Sequence, residues 1–203
     1  PALNIHRDPL CGRNFEYYSE DPLVSGKCGA AAIRGVQSQK TAVSMKHFAC
    51  NNQELNRNHN DSVVSQRALR EIYLKGFEIC VKEAQPLNIM TSYNKINGVW
   101  SHYNYELCTT VLRKEWGYEG NVITDWWMRY ASSPEFPEVK DNAYRVRAQV
   151  DVLMPGGKTA VSKSASNDGS LTETYGKPDG ITLGEMQRSA GNVLNYIMKS
   201  GKN

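Results

Sequence analysis

Apolar positions along this chain follow two rhythms that take turns. Short apolar runs at Ala2–Ile5, Ala42–Phe48, Leu87–Ser92, Asn121–Thr124 and Val150–Met154 have the length and polar flanks of buried strands. Between and after them, apolar residues recur at helical spacing over Pro22–Gln37, Ser65–Ala84, Asn104–Trp116, Ala143–Gln149 and Leu183–Ser200. In Ser65–Ala84, Leu69, Ile72, Tyr73, Phe77 and Cys80 share one face, while Arg67, Arg70 and Lys82 point outward. In the last helix the apolar face is Met186, Ala190, Val193, Leu194 and Ile197. The ends carry their own signals. Ser19 or Asp21 serves as N-cap of the first helix, Gly117 as a left-handed cap, and Thr182 with Glu185 as a capping box. Residues 158–181, rich in Ser, Thr, Gly and Asn, read as a surface loop.

Strands alternating with helices predict parallel pairing and an α/β fold. The unusual polar residues, His6-Arg7, Lys46-His47, Tyr93 and Asp125-Trp126, all fall at the carboxyl ends of predicted strands. That rim is where a (β/α)8 TIM barrel assembles its active site, whereas a doubly wound sheet gathers ligands at one switch point. The barrel is the expected fold. Only five strands are counted, so residues 1–203 are expected to form a partial catalytic barrel, its later five or so β/α units.

Composition narrows the function classes. The net charge is +3 and Lys and Arg are scattered, which leaves no basic footprint for nucleic acid. No apolar run is long enough to span a bilayer. The five cysteines lack C-x-x-C spacing, which argues against a disulfide framework and a zinc site and favours small buried thiols in a reducing compartment. A cytoplasmic location is the mild preference. The chain starts at Pro1 rather than Met, so periplasmic or secreted origins stay open. No metal-ligand spacing, P-loop or G-x-G-x-x-G is present, and no cofactor is expected.

Asp125 carries the chemistry best. A carboxylate at a barrel rim beside Trp126 and Trp127 suits sugars, because an indole offers a flat apolar face to pyranose CH groups and the carboxylate meets an anomeric carbon. The alternative is a strand-end Asp capping the next helix. Lys46 and His47 read either as an ion-pair partner and a core histidine, or as donors to sugar hydroxyls. Arg13 and Arg57 lie in loops after strands, and Met90 and Tyr93, taken singly, read as packing residues.

Together these segments are colinear with a known pattern: Asn4-Ile5-His6-Arg7-Asp8-Pro9, Gly12-Arg13-Asn14-Phe15-Glu16, Lys46-His47-Phe48, Asn52-Gln53-Glu54 with Arg57, Met90-Thr91-Ser92-Tyr93-Asn94, and Thr124-Asp125-Trp126. They resemble glycoside hydrolase family 3, in its β-glucosidase/β-xylosidase branch. The resemblance implies a retaining hydrolase of terminal β-D-glucosyl residues with Asp125 as nucleophile. It implies that Arg13, Lys46, His47 and Arg57 bind sugar hydroxyls, that Met90 and Tyr93 flank the nucleophile, and that Trp126 walls the subsite. Glu16, Glu20 and Glu54 look structural by the same comparison. The family's acid/base, usually a Glu on a following domain, has no match here, so the rest of the enzyme is the expected partner besides a β-linked glycoside. A β-xylosidase, a β-N-acetylglucosaminidase and a non-catalytic carbohydrate-binding or association module derived from the fold are the alternatives.

Overall fold

The computed structural model describes residues 1–128, 142–155 and 169–201. Helix α1 (Pro22–Gln37) starts where Asp21 accepts the Leu23 and Val24 amides, with Pro22 preset for the first turn. Strand β1 (Ser44–Phe48) follows, and β2 (Asp61–Ser62) ends the loop after it. The predicted second helix is a composite: α2 (Gln66–Ala68), a wider π-type stretch Leu69–Tyr73, then α3 (Lys75–Ala84). Strand β3 (Asn88–Thr91) leads to a tight hairpin, β4 (Lys95–Ile96) and β5 (Val99–Trp100). A second π-type helix, Glu106–Glu115, precedes β6 (Asn121–Ile123). Helices α4 (Ala143–Arg147), α5 (Ser170–Thr174) and α6 (Leu183–Ser200) complete the described chain.

Strands β1, β3 and β6 form a parallel sheet in chain order. Ala2 bridges in parallel to Lys46 on one side, and Val152 to Ile123 on the other. Five segments therefore lie side by side, all parallel, in the order of the sequence, with helices as the crossovers. The chain is an α/β fold. Each of the two outer segments makes a single bridge, shorter than the strands expected at Ala2–Ile5 and Val150–Met154.

The core lies between this sheet and its helices. Leu3, Ile33, Met45, Phe48, Phe77, Cys80, Ile89, Leu112 and Val122 are all buried there. Helices α1 and α3 approach closely because α1 presents glycine at the contact. A Cβ on Gly26 would stand 2.8 Å from Ile79 Cδ1, and one on Gly29 would stand 2.9 Å from Cys80 Sγ. Four cysteines (Cys11, Cys50, Cys80 and Cys108) are buried thiols as expected; Cys28 is exposed.

Several expectations are corrected. Ile72 is 41% exposed rather than on the buried face with Leu69, Phe77 and Cys80; it lies inside the π-type stretch Leu69–Tyr73, where the wider turn departs from ordinary helical spacing. Ala190, Leu194 and Ile197 of α6 are exposed too. Within the expected loop 158–181, Ser170–Thr174 is a helix and Ile181 is buried; residues 158–168 lie outside the described ones. The small second sheet was not anticipated. It pairs β2 with β4 in parallel and β4 with β5 through Asn97-Gly98, both at positive φ. That dipeptide is a strong hairpin signal.

Candidate active site

Asp125 stands two residues beyond β6 and is 7% exposed. Its Oδ1 accepts the Trp126 amide at 2.7 Å, while the buried Oδ2 has no hydrogen-bond partner. His47, near the end of β1, brings Nε2 to 3.9 Å from that free oxygen. Burial raises the Asp125 pKa, against the Trp126 amide and the positive charges of Arg57, Arg13 and Lys46, which favour the carboxylate. The same surroundings act on His47 in one direction. Burial, then Arg13, Lys46 and Arg57, pull it down to about 2, so its imidazole is neutral at ordinary pH.

The cations are held in place by carboxylates. Glu16 pairs with Arg13 through Oε1 and with Lys46 through Oε2, the latter at 3.1 Å. Arg57 binds Glu54 at 2.8 Å and lies over the Tyr93 ring, 4.5 Å from its centroid. Tyr93 in turn donates its hydroxyl to the Trp126 carbonyl, and burial with the nearby Asp125 charge pushes it up to about 12. Glu54 also accepts from Asn51 Nδ2 at 2.9 Å, and Asn51 exchanges hydrogen bonds with the Tyr17 hydroxyl.

The strands deliver these groups from neighbouring ends. Asn4 binds the His47 peptide on both sides, donating to its carbonyl and accepting from its amide at 3.0 Å each. Met90, half-buried, pairs in register with Ile123 on β6. Trp126 and Trp127 present exposed rings, centroids 5.3 Å apart. Contacts and charges thus link Arg13, Lys46, His47, Arg57, Tyr93, Asp125 and Trp126 in one group, with Met90 on the strand beside β6. Glu16, Glu54, Asn4, Asn51 and Tyr17 were missed as site builders. Asn4, Glu16 and Glu54 stand within the blocks already noted, and Tyr17 and Asn51 immediately beside them.

Among the described residues no cluster of His, Cys, Asp and Glu could hold a metal ion. No helix of the described residues is long and apolar enough to cross a membrane.

Comparison with known proteins identifies the family. The model of the glycosyl hydrolase family 3 N-terminal domain matches residues 1–174. A β-glucosidase of Ruminococcus albus is 45% identical over 200 residues, covering 98% of this chain and 20% of that protein. An exo-α-(1->6)-L-arabinopyranosidase of Bifidobacterium breve is 56% identical over 201 residues, 98% of this chain and 24% of that protein. The structure of β-glucosidase 3B from Thermotoga neapolitana in complex with α-D-glucose superposes with a TM-score of 0.86 at 41% identity, over 98% of this chain and 26% of that one. The chain therefore spans about a quarter or less of the length of these relatives. It belongs to glycosyl hydrolase family 3.

Proposed function

We propose that this chain carries the nucleophile half of a retaining β-glycosidase active site, acting on terminal β-D-glucosyl residues. The five parallel segments are read as an arc of a (β/α)8 barrel whose carboxyl-end rim bears the site. The observation that carries the reading is Asp125 itself: a buried carboxylate with one oxygen fixed by the Trp126 amide and the other unpaired, with the His47 imidazole 3.9 Å away. In the first step the free oxygen bonds to the anomeric carbon as the bond to the leaving oxygen breaks. That oxygen takes a proton from a general acid. Water then cleaves the glycosyl ester, with the same acid acting as base.

Arg13, Lys46, His47 and Arg57 bind the sugar hydroxyls in this reading, and Trp126 covers a ring face. The second carboxyl should stand about 5–5.5 Å from the first. Glu16 and Glu54 are committed to their cations, so the acid/base is proposed to come from polypeptide beyond this sequence. Two assays test this. The full gene product should hydrolyse an aryl β-glucoside, and Asp125→Ala should lower turnover by roughly 10³-fold or more. The 203-residue chain alone should show almost none. Turnover by the isolated chain that is lost on Asp125→Ala would overturn the incomplete-site reading.

A second reading is favoured by the identity to the arabinopyranosidase, 56% over 201 residues. An α-L-arabinopyranoside lacks the exocyclic carbon of glucose and has the opposite configuration at the carbon bearing the 4-hydroxyl, so comparing kcat/KM on the two aryl glycosides separates the readings.

A further inference from the structure

We propose that Glu16 is a positioning residue of this site: its two carboxylate oxygens divide Arg13 from Lys46 and fix where both cations point. The geometry is specific. One oxygen takes the Arg13 guanidinium and the other takes the Lys46 amine at 3.1 Å, so a single side chain sets the direction of two donors. All three groups are partly shielded, with side-chain exposures of 18% for Glu16, 21% for Arg13 and 29% for Lys46. Such pairs are less weakened by solvent than surface ones. Arg13 is anchored by the short turn Asn14–Glu16, and Lys46 by β1, so the carboxylate spans two elements.

The charges around Asp125 explain why this matters. Arg13, Lys46 and Arg57 are positive, Glu16 and Glu54 negative, and His47 and Tyr93 neutral at ordinary pH. With Asp125 ionised the cluster is balanced. Without Glu16, Arg13 and Lys46 lose their shared counter-charge and repel one another, and their positive charge acts on Asp125 without that offset. The Asp125 carboxylate becomes easier to form, and Arg13 and Lys46 leave the positions from which they meet a sugar. Glu54 plays the matching part for Arg57 and is linked through Asn51 to Tyr17, the residue next to Glu16.

The test uses Glu16→Gln, which keeps shape and removes charge, and Glu16→Asp, which keeps charge. Carbon NMR titration of the Asp125 carboxyl in the 203-residue chain should show its midpoint moving to lower pH in Glu16→Gln and part of the way in Glu16→Asp. An unmoved midpoint in a folded Glu16→Gln chain overturns the proposal. If Glu16→Gln does not fold, a wild-type midpoint together with wild-type KM in Glu16→Asp, whose shorter side chain cannot span both cations, overturns it equally. The kinetic arm rests on the proposed glycosidase reading. In the full gene product, Glu16→Gln should raise KM for an aryl β-glucoside about tenfold, the loss of one charge-assisted hydrogen bond, and move the acidic limb of the kcat/KM profile to lower pH. A wild-type protein without turnover would remove the glycosidase reading, and the carboxyl titration would still decide the role of Glu16.

Discussion

His47 shows how a residue next to the buried Asp125 carboxylate is tied to stability. Its folded-state pKa of about 2 lies far below the usual 6.5 of an unfolded histidine. A lowered value means that the unfolded chain takes up the proton first. The contribution of neutral His47 is therefore complete above about pH 6.5 and is lost as pH falls below it. Between pH 7 and pH 5 the wild-type chain should lose about 2 kcal/mol relative to His47→Gln in urea unfolding, since only the wild type gains this proton on unfolding. Equal slopes for the two proteins would mean that folded His47 takes up its proton as readily as it does in the unfolded chain. Asp125 works with the opposite sign, because its raised pKa relieves the folded state as the carboxyl protonates. At this scale the sequence was informative about which residues meet, since Lys46, His47, Tyr93 and Asp125 stand at strand ends that a parallel sheet must align. It said little about Glu16 and Glu54. Their roles depend on loop geometry that places a carboxylate between cations from other elements, which no local spacing encodes.

Elements in this fold are tied together by one buried ion pair that periodicity does not reveal. Arg113, on the helix before β6, donates to Asp151 Oδ2 at 2.7 Å and to the carbonyls of Gly120 and Gln149. The same oxygen of Asp151 accepts the Val122 amide, its Oδ1 accepts from Asn192 of α6, and its carbonyl accepts from Ser189. One carboxylate thus joins a helix, the last parallel segment, α6 and β6, gripping β6 three residues upstream of Asp125. Asp151→Ala should destabilise the chain by about 3 kcal/mol or more, because it leaves the Arg113 charge buried without its partner. Urea unfolding measures this, and a loss below about 1 kcal/mol would place Arg113 in solvent. Local caps are worth less. Thr182 and Glu185 form the expected reciprocal pair, so Thr182→Ala should cost about 1 kcal/mol in the same experiment. Helix ends were legible because capping chemistry is local. The π-type turns were not, since a bond such as Leu74 N–H to the Leu69 carbonyl differs from an ordinary helical bond by one residue, below what apolar spacing resolves. The turn at Asn97-Gly98 is legible, but the strands beside it are not, because each has only two residues and carries no alternation to notice.

Across the whole molecule, the five parallel segments were readable as strands, and their side-by-side order accords with the preference of consecutive elements to lie next to one another. The fate of the apolar helix faces was not readable in the same way. A helical pattern states which face is apolar, but only packing decides whether that face is covered. On α1 and α3 the pattern and the packing agree, with Ile33, Phe77 and Cys80 buried. On α6 they part: Ser189 alone is buried, while Leu194, Ile197 and Met198 are 59%, 54% and 78% exposed. These three side chains lie within about a turn of one another and form a contiguous apolar patch, the kind that drives association when left in water. Changing Leu194 and Met198 to Lys should therefore raise the concentration at which the 203-residue chain begins to scatter light. Neither side chain is buried, so unfolding free energy should change by no more than about 0.5 kcal/mol per substitution. A large loss of stability in Leu194→Lys would instead show the residue packed in solution, and an unchanged scattering threshold would move the association surface elsewhere on the chain.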